Sequence, residues 1–125
     1  MTRPLVIKIG GAILEKKDAL NALLVVIASL KAKVVLVHGG GCVVDEMLAQ
    51  AGFTTVKKHG LRVTPKAQIG LISGALAGTV NKSIVATANS MHLSAVGLSL
   101  TDGDMIACTK SDLDLGEVGV PSPKS

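Results

Sequence analysis

Three short apolar runs, each punctuated by glycine, constrain this chain more than any other feature. They are Leu5-Val6-Ile7, Val34-Val35-Leu36-Val37 and Ala95-Val96-Gly97-Leu98. None alternates polar with apolar residues, and such runs suit strands buried on both faces of a parallel sheet. Between the first two, Leu20, Leu23, Leu24 and Ile27 recur at helical spacing, with Asp18 placed to cap the helix. Val43, Val44, Met47 and Leu48 repeat that spacing after the second run. The opening therefore reads β-α-β-α, an α/β domain with right-handed crossovers.

The later chain reads differently. Thr54-Thr55-Val56 and Leu61-Arg62-Val63 flank Lys58-His59-Gly60, the pattern of a hairpin with glycine in its turn. Thr64-Pro65 has the form of an N-cap followed by a first helical proline, opening a long helix to about Ser90. Gly74 and Gly78 stand four apart within it, allowing close packing or a bend. Asp102-Gly103 marks a tight turn between Leu98-Ser99-Leu100 and Met105-Ile106-Ala107. Pro121 to Ser125 is short and polar and is expected to end the chain without a closing helix or strand.

Composition narrows the function. The 125 residues suit one domain, and Phe53 is the only aromatic side chain. Single-strand nucleic-acid binders need aromatic stacking platforms, which this chain lacks. The net charge of +4 is spread without a basic block, so small anions fit better than nucleic acid. Cys42 and Cys108 have no CxxC spacing and read as two reduced thiols in a cytoplasmic protein. Lys8 interrupts the first apolar run too early for a signal peptide. The longest apolar stretch, Ala19 to Leu30, is too short to cross a bilayer, and Lys66, Asn81 and Lys82 argue against a span in the long helix.

Two segments carry candidate chemistry. In Lys8-Ile9-Gly10-Gly11, a lysine at a strand end precedes two glycines whose N–H groups can approach a phosphate. Alone, this is also what an ordinary strand-end lysine beside a turn looks like. In His38-Gly39-Gly40-Gly41-Cys42, three glycines run from a strand into a helix, where the exposed N–H groups and helix dipole favour an anion. Val44 replaces the last glycine of a dinucleotide fingerprint, and no Walker A motif occurs. His38 and Cys42 could mimic a metal pair, but no second pair follows, so no metal site is assigned. His59 and His92 read as surface residues, and Asp102 and Asp104 as turn residues. Arg62 beside Thr64-Pro65 could clamp a carboxylate in bidentate fashion or simply be solvated.

In order, these segments resemble the amino-acid kinase family, in particular its acetylglutamate-phosphorylating members. The resemblance runs through Lys8-Ile9-Gly10-Gly11, His38-Gly39-Gly40-Gly41, Gly60-Leu61-Arg62-Val63-Thr64-Pro65, Gly74 to Lys82 and Asp102-Gly103-Asp104. It implies a three-layer αβα sandwich with a mainly parallel open sheet. It also implies transfer of the γ-phosphoryl group of ATP, carried with Mg²⁺, to the side-chain carboxylate of N-acetyl-L-glutamate in arginine synthesis. By resemblance, Lys8 stabilises the transferring phosphoryl group, and Gly10 and Gly11 meet the nucleotide phosphates. Gly40 and Gly41 bind acetylglutamate, and Arg62 holds its α-carboxylate.

The resemblance also implies that residues 1–125 form only the acetylglutamate-binding N-terminal lobe. The nucleotide-binding lobe, with a second lysine, an Asn and an Asp, lies outside them. The chain is therefore expected to be inactive alone, to expose an open sheet edge, and to aggregate or dimerise through the Gly74/Gly78 helix. Its start directly on a strand favours the dimeric, arginine-insensitive type. The competing readings are a non-catalytic module that binds an acyl amino acid or dimerises, and a nucleic-acid binder resting on charge alone.

Overall fold

The computed structural model describes residues 3–124. Strands β1 (Leu5–Ile9) and β2 (Val34–His38) pair in parallel, from Leu5 opposite Val34 to Ile9 opposite His38. The crossover between them carries α1 (Gly11–Leu14) and α2 (Lys17–Ser29). Helix α3 (Gly41–Gln50) leaves β2 through the triple glycine. Helices α4 (Ile69–Gly74) and α5 (Asn81–Ser90) form one rod, joined by a π-helical turn over Ala75–Val80. The fold is α/β, as the sequence reading expected.

Burial follows the helical spacing. Leu20, Leu24 and Ile27 of α2 meet Ile9, Val80, Ile84 and Ala88 in one core, with Ile7, Val34 and Leu36 packed beside it. A second core joins Val44 and Leu48 of α3 to Ile72 and Ala75, with Phe53 against it. A hairpin forms, but its first arm is β3 (Lys57–Lys58) and not Thr54-Thr55-Val56, and it pairs antiparallel with β4 (Leu61–Arg62). Its turn residues His59 and Gly60 have φ of 53° and 74°, the doubly left-handed form that suits strand twist.

Several expectations need correction. Asp18 does not cap α2; the helix starts at Lys17, and Asp18 lies in its first turn, where its charge still complements the positive end of the helix dipole. Thr64 does not cap the long helix either. Its backbone N–H donates to Leu115 O and its carbonyl accepts from Glu117, so it is tied into a bridge with Gly116. The rod consequently begins only at Ile69. Gly78 falls inside the π turn, a site where a helix bends. The C-terminal segment is not strandless: β6 (Gly119–Pro123) pairs antiparallel with β5 (Ile106–Lys110). No strand precedes the Asp102-Gly103 turn; Ser99 N–H instead donates to Asp102 Oδ2 at 2.7 Å.

Two departures bear on the site. The parallel strands are covered on one face only, and Val6, Val35 and Val37 of the other face are exposed by 62%, 49% and 42%. The third apolar run makes no ladder. It runs as a strap with two of its carbonyls taken by side chains: Asn81 Nδ2 donates to Leu98 O at 3.2 Å and Lys82 Nζ to Gly97 O at 3.0 Å. Ile69–Ser90 spans 22 residues and is long and apolar enough to cross a bilayer by length and composition. Its polar pair Asn81-Lys82 is committed to that strap, and Val80, Ile84 and Ala88 are committed to the core.

Asn81 is buried and also donates to His38 Nε2 at 3.0 Å, so one amide joins the rod, the end of β2 and the strap. Asn81→Ala should therefore cost about 1–3 kcal/mol, the penalty for stranding buried polar partners. Urea denaturation checks this; a loss below a few tenths would show that the junction carries no stability.

Candidate functional site

The register of β1 on β2 sets two glycine turns side by side. Lys8 stands opposite Val37 and Ile9 opposite His38, so Gly10-Gly11 and Gly39-Gly40-Gly41 leave the sheet at the same end. Lys8 belongs to the uncovered face, and its ammonium folds over this end. It donates to Ile9 O at 3.3 Å and lies 3.8 Å from where a Cβ on Gly39 would stand.

Gly40 is the tightest point. Its φ of 153° and ψ of 32° belong to glycine, and an added Cβ would come 2.8 Å from Val80 Cγ2 and 3.2 Å from Leu76 Cδ2. The π turn thus presses against the loop and holds it to the mouth of α3. That helix has no side-chain cap. Its first intrahelical bond runs from Val44 N–H to Gly40 O, which leaves the N–H groups of Gly41, Cys42 and Val43 for an anion. A cleft of about 330 Å³ opens here, lined by Gly11, Glu15, Gly40, Gly41, Cys42, Thr79, Val80 and Ser83 among others.

Side chains steady the loop. His38 Nδ1 lies 2.7 Å from Gly39 O while Nε2 faces the Asn81 amide. Both contacts are satisfied by a neutral ring that donates from Nδ1 and accepts at Nε2. Cys42 Sγ donates to Glu15 Oε1 at 2.5 Å across the cleft mouth. That bond, with the carboxylate's charge, pushes the thiol above its ordinary value.

Arg62 is not a solvated arginine. Its side chain is 16% exposed and pairs with Asp45 Oδ1 at 2.6 Å. Nη1 donates to Thr55 Oγ1 at 3.2 Å, Thr55 donates to Asp45 Oδ1 at 3.1 Å, and Nη2 reaches Gly41 O at 3.4 Å. Burial works to raise the Asp45 carboxyl, but bonds from Arg62 and Thr55 and the guanidinium charge outweigh it and hold it below its ordinary value.

All six residues singled out from the sequence therefore gather at this end: Lys8, Gly10, Gly11, Gly40, Gly41 and Arg62. Asp45, Thr55, Asn81 and Glu15 were missed. Two of them left a trace: Asn81 lies within the Gly74 to Lys82 segment of the family resemblance, and Asp45 lies one helical turn after Gly41. Among the described residues no group of three or more His, Cys, Asp and Glu is placed to hold a metal ion.

Residues 3–123 match the profile of the amino acid kinase family. The chain is 82% identical over 120 residues to an acetylglutamate kinase of Colwellia psychrerythraea, covering 95% of this chain and 46% of that protein. It thus spans about half the length of that relative. Among solved structures, smu.665 of Streptococcus mutans UA159 superposes with a TM-score of 0.81 at 27% identity, over 95% of this chain and 49% of that one. N-acetylglutamate synthase of Neisseria gonorrhoeae, solved with coenzyme A and N-acetyl-glutamate, gives 0.65 at 28% identity over 96% of this chain and 28% of that one.

Two glycines separate loop geometry from helix propensity. Gly40→Ala should destabilise by about 1–3 kcal/mol through strain and overlap. Gly74 is helical, with nothing within 4 Å of an added Cβ. Gly74→Ala should instead stabilise by about 0.4–1 kcal/mol. Thermal melts of both variants check the pair, and equal effects would contradict the packing described for Gly40. The Asp45 pair adds a pH test. Because the folded carboxyl is lowered, its contribution is present above the ordinary aspartate value and is lost as pH falls through the folded one. The stability gap between wild type and Asp45→Asn should close on acidification, as read by denaturation at stepped pH.

Proposed function

Because the chain belongs to the amino acid kinase family, we propose that it supplies the acyl-substrate pocket and first phosphate loop of an acetylglutamate kinase. The reaction is transfer of the γ-phosphoryl group of ATP to the side-chain carboxylate of N-acetyl-L-glutamate, forming an acyl phosphate and ADP. The observation that carries this reading is the convergence of two glycine turns, one lysine and an uncapped helix N-terminus at a single sheet end.

Phosphoryl transfer needs positioning and charge stabilisation more than covalent help. Gly40 and Gly41 bind the acceptor carboxylate with backbone donors at the mouth of α3. Gly10 and Gly11 face the nucleotide phosphates from the neighbouring strand end. Lys8, whose ammonium bonds to Ile9 O near Gly39, supplies positive charge to the moving group. Arg62, held beside Gly41, takes the α-carboxylate that does not react. Mg²⁺ arrives with ATP and neutralises phosphate charge. The same reading assigns the chain to arginine synthesis in the cytoplasm and to a homodimer.

On this reading residues 1–125 are the acetylglutamate lobe, and turnover requires a nucleotide lobe like the remainder of the Colwellia relative. The 125-residue chain should bind N-acetyl-L-glutamate more tightly than L-glutamate in calorimetry while releasing no ADP in a coupled assay. Equal or absent binding by folded protein would reject the acyl-substrate pocket. Fused to the remainder of the Colwellia kinase, the chain should turn over. Lys8→Ala in that fusion should then lower kcat by roughly 10²–10³, with a smaller effect on KM. An unchanged kcat would reject the role given to Lys8.

A further inference from the structure

We infer that Asp45, bridged by Thr55, is a positioning residue that locks the Arg62 guanidinium to the glycine loop and so sets selectivity for a free α-carboxylate. This rests on the acetylglutamate reading above. Arg62 sits on β4, a two-residue strand of a hairpin whose turn is exposed. A long side chain on such an element has no reason to hold one distance from α3. Asp45 supplies that reason, because it lies on α3 itself, one turn after Gly41. The 2.6 Å ion pair therefore ties the guanidinium to the same helix whose N-terminus forms the anion cradle.

The bonding pattern is specific. Asp45 Oδ1 accepts from both Arg62 Nη2 and Thr55 Oγ1, and Thr55 Oγ1 in turn accepts from Nη1. The end of the guanidinium that carries Nη1 and Nη2 is thus engaged, and Nη2 also points at Gly41 O. Nε–H makes no hydrogen bond among the described residues and remains available to a carboxylate oxygen. Ordering the arginine before ligand arrives removes an entropy cost that binding would otherwise meet.

A pure charge argument has the opposite sign. Asp45 cancels the Arg62 charge, so its removal would strengthen binding of any anion. Asp45 is 42% exposed at the side chain, so water screens that cancellation, and geometry outweighs it here.

The test compares N-acetyl-L-glutamate with its α-carboxamide analogue by calorimetry on the 125-residue chain. Wild type should prefer the free acid by roughly 10-fold or more, as expected for a charge-assisted hydrogen bond. In Asp45→Asn that preference should fall toward that of Arg62→Ala, mainly through weaker binding of the acid. Thr55→Val, which keeps both charges, should lose part of it and stands in if Asp45→Asn does not fold. The chain has two arginines, Arg3 and Arg62, so the side-chain ¹⁵Nη signals are simple to follow. Slow guanidinium rotation at Arg62 should be seen in wild type and lost in Asp45→Asn. A preserved acid preference in the variants, or tighter acid binding, overturns the positioning role while leaving the acetylglutamate reading intact. Failure of folded wild type to bind either ligand overturns both.

Discussion

Everything at the site depends on one parallel pairing. With Ile9 held opposite His38, the glycines after each strand emerge together and Lys8 reaches the turn that follows its neighbour. A shift of one residue would send Lys8 into the core and turn Ile7 and Ile9 to the uncovered face. Burial prevents this, because Ile9 is 2% exposed beneath α2 and α5. The apolar core thus fixes the register, and the register fixes the site.

The second constraint is the meeting of Gly40 with the π turn. A wider helical turn brings Leu76 and Val80 against the loop while Asn81, next in the chain, bonds to His38. Loop geometry, helix irregularity and histidine orientation are therefore one arrangement. The long rod has a defect because a regular helix would place Val80 and Asn81 differently. Such π insertions often accompany functional sites.

The first half of the fold was legible in sequence because it is governed by periodicity and by glycine. Leu20, Leu24 and Ile27 are buried as their spacing requires, and the six candidate residues gather where strand ends and a hairpin deliver them. What was not legible depends on partners distant in sequence. Ala95 to Leu98 has the composition of a strand, but Asn81 and Lys82 hold its carbonyls in place of a sheet neighbour. Thr64 has the form of a cap, yet a bridge to Gly116 claims its backbone. The Asp45–Arg62 pair joins residues 17 apart on a helix and a hairpin, and no local pattern announces it. The sheet face bearing Val6, Val35 and Val37 had the composition of a buried one but is exposed over these residues.

On the proposed function, the glycine cradle, and not the basic surface as a whole, receives the substrate's anionic group. Backbone amide NMR of the 125-residue chain during titration with N-acetyl-L-glutamate tests it directly, since glycine amides lie in a sparse region of the spectrum. The expected result is saturable shifts concentrated on Gly39 to Val43 and on Arg62, with little change at Lys110 or Lys124. Shifts scattered over the lysines, or confined to the far end of the rod near Asn89 and His92, would contradict it.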